Sequence, residues 1–282
     1  MPKAEGLSHE KRTAVNSNLY RKGVYRMQIT GRRGVTWRIP SISADGLKNF
    51  ACVIVLLQTF GATVIEKGLI NIDQYTKAGL SDALAEDSLL MVYAGMGSVM
   101  QLLGGLAVPV FSFLLVEGFL HTSSYKKYVL AIAFFALLSE IPYDIAYSGK
   151  WMDWSSQNAM VALCVSLLML YFIKMFQEKG GFLYQLGELL IVLCAVAWVT
   201  IFRSQYGLCT VLLVAIFYFF RSRGVIRTVL GIIVSLLYIT GPIAFYFIWL
   251  YSGERKDKLP KYAYYILYPA QLLLFGVITK LI

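Results

Sequence analysis

Residues 89–116 read LLMVYAGMGSVMQLLGGLAVPVFSFLLV and contain no Asp, Glu, Lys or Arg. A membrane-crossing helix needs ~20 mostly apolar residues to pass ~30 Å of hydrocarbon. This stretch of 28 residues is longer than one upright span requires. It reads either as a tilted helix or as a short interfacial turn followed by a span. The rest of the chain has the same texture. Of 282 residues, 58% are apolar and 15% charged, against about 45–50% and 25% in ordinary soluble domains. So few charges cannot cover a soluble surface, and so many aliphatic and aromatic residues exclude a disordered chain. With a mean hydropathy of +0.63, the composition predicts an all-α, polytopic transmembrane helical bundle.

Working outward, about eight spans are expected, at 46–65, 94–119, 126–146, 157–176, 182–201, 206–220, 226–250 and 262–282. The domain of 46–282 follows a basic head at 1–45, expected to be cytoplasmic and partly disordered. The head holds nine Lys and Arg against Glu5, Glu10 and Asp45. It lacks a zinc pattern or a regular basic helix, so no nucleic acid is expected, and anionic lipid headgroups are the expected partner. Lys and Arg concentrate in cytoplasmic loops. With eight spans and the head inside, seventeen cations fall on the head's side and eight on the other, Lys48 lying within the first span. Both termini are then expected in the cytoplasm. Residues 251–261 dissent, because Arg255, Lys256, Lys258 and Lys261 fall on the outer side. Either that loop has a task needing cations or one span is miscounted.

Cys52, Cys164, Cys194 and Cys209 sit in apolar runs without metal-ligand spacing, and His9 and His121 are the chain's two histidines. Neither a disulfide framework nor a metal site is expected. No Walker, dinucleotide-binding or zincin motif occurs.

Ionisable and amide side chains inside a membrane are costly, so each marks a candidate site. They are Lys48, Gln58, Gln101, Glu117, Glu140, Asp144, Asn158, Gln185, Glu188 and Gln271. Gln101, Gln185 and Glu188 also read as bonds between helices, and Lys48 as a snorkelling cation. The tightest group is Glu117 with His121, spaced i, i+4 on one helical face and followed by Lys126 and Lys127. A carboxylate beside an imidazole suits general-base work, and the lysines suit a phosphate. The plain alternative is a solvated ion pair at a helix end. A second group, Ser139-Glu140-Ile141-Pro142-Tyr143-Asp144, places two acids around a helix-breaking proline. It reads as a polar vestibule or as a kink near the interface.

These residues also carry a resemblance. LAVPVFSFLLVEGFLHT at 106–122 resembles the signature of the TraX family. So do 139–144, Gln157-Asn158, Gln205-Tyr206-Gly207, LYSGER at 250–255, and the run from Lys261 to Tyr268-Pro269. The resemblance implies a multi-helix membrane protein of the cell membrane, akin to a conjugative-pilus factor that acetylates the pilin N-terminus. It further implies kinship to membrane acyltransferases that use acyl-CoA and a histidine in the first span. Acetyl-CoA or another acyl-CoA would be the donor, and an envelope peptide, sugar, lipid or pilin-like chain the acceptor. On this reading His121 and Glu117 are the catalytic candidates. The binding candidates are Lys48, Gln58, Thr59, Lys126, Lys127, Glu140, Asp144, Asn158, Gln205 and Gln271.

This chain also departs from the pattern. An Asp-His pair of the first span is replaced by Gln58-Thr59, a Gly-Arg by Gly104-Gly105, an Arg by Ala131, an Asp by Gln205 and a His by Gln271. Glutamine and threonine take no proton near neutral pH. A non-catalytic scaffold or binding protein is therefore the alternative, and a small transporter a further one.

Overall fold

A computed structural model of the chain describes residues 28–30, 36–38, 41–178, 181–254, 260 and 262–282. Most of the expected head lies outside the described residues. Within it, β1 (Gln28–Thr30) and β2 (Thr36–Arg38) pair antiparallel, with Ile29 opposite Trp37. Everything from Ala44 on is helical or connects helices.

The first helix, α1 (Ala44–Leu69), starts where the Ser43 hydroxyl accepts the Gly46 N–H at 3.2 Å. A short helix, α2 (Lys77–Glu86), links it to α3 (Ser88–Gly104) and α4 (Ala107–His121). The charge-free run thus resolves as two helices end to end, broken at Gly105 and Leu106. Pro109 lies in the first turn of α4, where its missing N–H costs nothing. Together α3 and α4 run antiparallel to α1. Their contact needs glycine, since a Cβ on Gly61 would stand 2.7 Å from that of Met100, and one on Gly104 2.4 Å from Gln58 Cγ. Small residues let membrane helices approach in this way.

The chain continues through α5 (Tyr125–Ser148), α6 (Ala159–Gln177), α7 (Phe182–Ile201) and α8 (Gly207–Phe219). Phe113 of α4 meets Phe217 of α8 edge-on at 5.6 Å, fixing the centre of the bundle.

The expected span at 226–250 is not a span. α9 (Gly224–Ser235) is not continued past Leu236. The chain then turns, and Gly241-Pro242 opens a single 3-10 turn before α10 (Ala244–Trp249). The arms close on each other where the Phe245 ring covers Gly231, whose Cβ would lie 2.4 Å from it. The return is unambiguous. Ile42 N–H donates to the Leu250 carbonyl at 2.7 Å, and Ser252 N–H to the Ile42 carbonyl at 2.9 Å. Residues 224–250 form a re-entrant hairpin that leaves by the face where α1 begins. Its turn lies beside Gly105, and Thr240 donates to the Leu102 carbonyl. Non-helical backbone is tolerated at such depth only where protein covers it.

The last helix, α11 (Ala263–Leu281), therefore runs parallel to α1. At one end Tyr264 donates to Asn49 Oδ1 at 2.9 Å, and at the other Thr279 packs on Gly68 at 3.7 Å. Six helical stretches are long and apolar enough to cross a membrane: α1, α3–α4 together, α5, α6, α7 and α11. With the shorter α8, the described residues make seven passes between the two faces and one re-entrant excursion, not eight passes. Ala44 and Leu281 stand at opposite ends of the bundle. Arg255, Lys256, Lys258 and Lys261 lie outside the described residues, but their flanks Glu254 and Tyr262 are both at the Ala44 face. Among the described residues, Lys67, Lys77, Lys150, Arg203 and Lys280 lie toward the other end of the bundle.

Candidate functional site

One cavity of about 660 Å³ opens at the Ala44 face and runs between α1, α4, α5 and α11. Its mouth carries Asp45, Lys48, Glu117, His121, Lys127 and Tyr264. Its closed end carries Gln58, Thr59, Gln205, Tyr206, Tyr268 and Gln271. The wall between is mainly apolar, with Phe111, Leu114, Ala131, Ile132 and Leu163. Lys48 and Gln58 are ten residues apart on α1, so mouth and closed end are separated by roughly 15 Å.

At the mouth, the helical spacing brings His121 over Glu117. Nδ1 lies 2.8 Å from the Glu117 backbone carbonyl and 3.8 Å from its carboxylate. A carbonyl can only accept, so Nδ1 carries the proton and the Nε2 lone pair is left for other work. The imidazole is 57% exposed. Lys48 does not simply snorkel: its ammonium pairs with Asp45 at 3.3 Å and stands 5.2 Å over the Tyr264 ring. Lys127 lines the mouth, whereas Lys126 does not line the cavity.

The closed end is organised by Tyr147, behind the lining residues. Its hydroxyl accepts from Gln58 Nε2 at 3.2 Å, and Thr59 and Gln205 reach the same group. Gln271 is buried, and its Oε1 has no partner among the described residues. A buried acceptor left unmatched costs about 1–3 kcal/mol, so a hydrogen-bond donor in the cavity would be favoured there. No cluster of His, Cys, Asp and Glu among the described residues could hold a metal ion.

Eight of the sequence candidates thus meet in one cavity: Lys48, Gln58, Thr59, Glu117, His121, Lys127, Gln205 and Gln271. Glu140, Asp144 and Asn158 do not join it. Asn158 Nδ2 donates to the Ala136 carbonyl at 2.9 Å and to the Glu140 carboxylate. Its Oδ1 caps α6 by accepting from Met160 N–H at 2.9 Å, and its carbonyl accepts the Ser204 hydroxyl at 3.2 Å. Asp144 accepts the Asp153 N–H at 2.8 Å, pinning the loop after α5. These groups clasp α5, α6 and the α7–α8 turn instead of forming a vestibule, and α5 runs through Pro142 without ending. In that loop, Asp153 keeps its carboxyl below the usual range by accepting the Ser155 N–H at 3.0 Å.

The clasp carries a prediction. Asn158→Ala strands part of the Glu140 carboxylate and should cost about 2–4 kcal/mol, a fall in melting temperature on the order of 5–15 °C. Asn158→Asp should cost more at pH 8 and recover as the pH falls, since one of two facing acids must take a proton. Detergent-solubilised thermal unfolding at pH 5 and pH 8 measures both.

Sequence reasoning missed the tyrosines. Tyr147, Tyr206, Tyr264 and Tyr268 surround the site, and the spacing of Tyr264, Tyr268 and Gln271 on one helical face was an available signal. Two other expectations hold. Gln101 bonds across to Glu66, and Glu188 accepts from Gln177 Nε2 at 3.4 Å.

A helical bundle with six stretches long and apolar enough to cross a membrane defines a polytopic membrane protein. Residues 83–279 match the family described as TraX protein, and the chain belongs to the TraX family. The match begins after α1, so it does not cover Gln58 and Thr59. No curated protein and no solved structure matches the chain.

Proposed function

We propose that this TraX-family chain is an integral-membrane acyl-transfer protein of the cell membrane, and that its cavity is the substrate site. The observation that supports this reading is the continuity of the cavity, which joins an imidazole and two lysines at the mouth to a hydrogen-bonding closed end. We take the Ala44 face as the cytoplasmic one, because Lys48 and Lys127 line the mouth there and Lys174 and Arg221 stand at neighbouring helix ends. An acyl-CoA reaches that face directly. Its thioester lies level with His121 at the mouth, its acyl group points into the apolar wall region, and its phosphates remain outside the mouth, beyond Lys48 and Lys127. The acceptor amine or hydroxyl gives its proton to His121 Nε2 as it attacks the thioester carbonyl. The tetrahedral intermediate collapses, the C–S bond breaks, and the leaving thiolate takes the proton from the imidazolium. Acetyl-CoA is the smallest donor of this class, and an envelope peptide, sugar, lipid or pilin-like N-terminus supplies the acceptor.

A second reading rests on a specific observation. The closed end has amides and hydroxyls but no base, and His121 lies 17 residues along the α3–α4 stretch from Gly104, which packs on Gln58, a rise of roughly 25 Å. A donor bound with its thioester at that end would be held without being turned over, as in a binding protein. Both readings need the cavity. Ala131→Trp, which fills the wall between mouth and closed end, should weaken acetyl-CoA binding at least tenfold in equilibrium binding with radiolabelled ligand. Unchanged binding in this variant would exclude the cavity as the donor site.

A further inference from the structure

A second recess lies at the Ala44 face, outside the cavity. It is bounded by the end of α4 (Phe119, Leu120), the start of α5 (Tyr125), the end of α6 (Lys174, Gln177, Glu178) and the end of α8 (Tyr218, Arg221). Its volume is about 380 Å³, within the range of small-ligand sites. Two cations point into it, each resting on an aromatic ring. Lys174 Nζ lies 4.0 Å from the Tyr125 ring centroid and donates to its hydroxyl, and the Arg221 guanidinium lies 5.3 Å from the Tyr218 ring. Neither forms an ion pair among the described residues. The floor is fixed, because Tyr218 donates to Gln177 Oε1 at 3.0 Å while Gln177 Nε2 donates to Glu188.

The position of the recess narrows its occupant. It sits at helix ends, and apolar side chains on the same helices are exposed: Leu120, Phe172 and Met175. Basic recesses between helices at this face suit lipid phosphates, and tyrosines with one wet and one apolar end are favoured there. The recess also carries Glu178, which repels a second negative charge but suits a primary ammonium. Two cations for a phosphate and one carboxylate for an amine match a zwitterion. We propose that the recess binds the headgroup of an ethanolamine phospholipid, with the phosphodiester on Lys174 and Arg221 and the ammonium on Glu178.

Native mass spectrometry of the full-length protein in detergent, titrated with phosphatidylethanolamine, phosphatidylglycerol and phosphatidylcholine, tests this. Wild type should retain phosphatidylethanolamine at least tenfold better than phosphatidylcholine, whose quaternary ammonium donates no hydrogen bond. The double variant Lys174→Gln/Arg221→Gln should lose about tenfold in phosphatidylethanolamine retention while binding acetyl-CoA as wild type does. Glu178→Gln, at an exposed position, should abolish the preference over phosphatidylglycerol. Wild-type retention in the double variant overturns the proposal, as does an unchanged preference in Glu178→Gln. Glycerophosphoethanolamine bound as tightly as the intact lipid also overturns it, in favour of a soluble ligand.

Discussion

His121→Ala is expected to slow acyl transfer by about 10²–10⁴-fold, the usual worth of a positioned general base. The expectation rests on one geometric fact. Nδ1–H is committed to the Glu117 carbonyl at 2.8 Å, so the ring presents Nε2 as its acceptor. The same fact separates the two members of the pair. The Glu117 carboxylate stands 3.8 Å from the ring nitrogen, and the backbone carbonyl holds the tautomer. Glu117→Gln keeps that carbonyl and should cost no more than about tenfold, within the range of a lost exposed ion pair. Thiol release from acetyl-CoA, followed with an aromatic disulfide reagent, gives both rates against a denatured control. Wild type without turnover above that control sinks the catalytic role of His121. In that case Gln58→Asp/Thr59→His decides further. Turnover gained by this double variant would mark the natural chain as a binder that keeps the cavity without its base.

The sequence made the material of the bundle plain and its path less so. Hydropathy counts apolar residues, and residues 226–250 have enough of them for a span. It does not register that Gly241-Pro242 cannot continue a helix, or that Gly231 leaves room for Phe245 to fold back. The four cations of 255–261 did carry that information, as the one loop at odds with the charge rule. The site divides in the same way. The Glu117–His121 spacing predicts a shared helical face, and the face is there. The convergence of Gln58, Gln205 and Gln271 brings together the middles of α1 and α11 and the α7–α8 turn and could not follow from spacing. Glu140 and Asn158 look like site residues in sequence because a polar group in hydrocarbon must be satisfied, whether by a ligand or by a neighbouring helix. Only the packing of α5 on α6 distinguishes the two. Gly105 shows how a departure from the family pattern can be structural. A Cβ there would lie 2.6 Å from Thr240 Oγ1, so an arginine cannot occupy the place taken by the re-entrant turn.

The re-entrant path makes an all-or-none prediction. In a background with Cys52, Cys164, Cys194 and Cys209 replaced, single cysteines are introduced by Ser123→Cys, Ile239→Cys and Ile282→Cys. Ser123 is exposed at the cavity mouth, and Ile282 ends the chain just past α11 at the opposite face. A membrane-impermeant maleimide added to sealed right-side-out vesicles should label Ile282→Cys and spare Ser123→Cys. Inverted vesicles should reverse the pattern. Ile239→Cys, in the turn level with Gly105, should be labelled from neither side. Eight passes would instead put Ser123 and Ile282 on one side, and labelling of both from that side would refute the fold described. Two independent forces stand behind the expected result. Making 224–250 cross would pull Ile42 and Ala44 from the carbonyls of Leu250 and Glu254, stranding backbone groups that pair at 2.7 and 2.9 Å. It would also carry the Arg255–Lys261 cations to the outer face, against the bias that orients membrane helices. Hydrogen bonding and charge therefore favour the same seven-pass path, in which the cavity mouth and the end of the chain lie on opposite sides of the membrane.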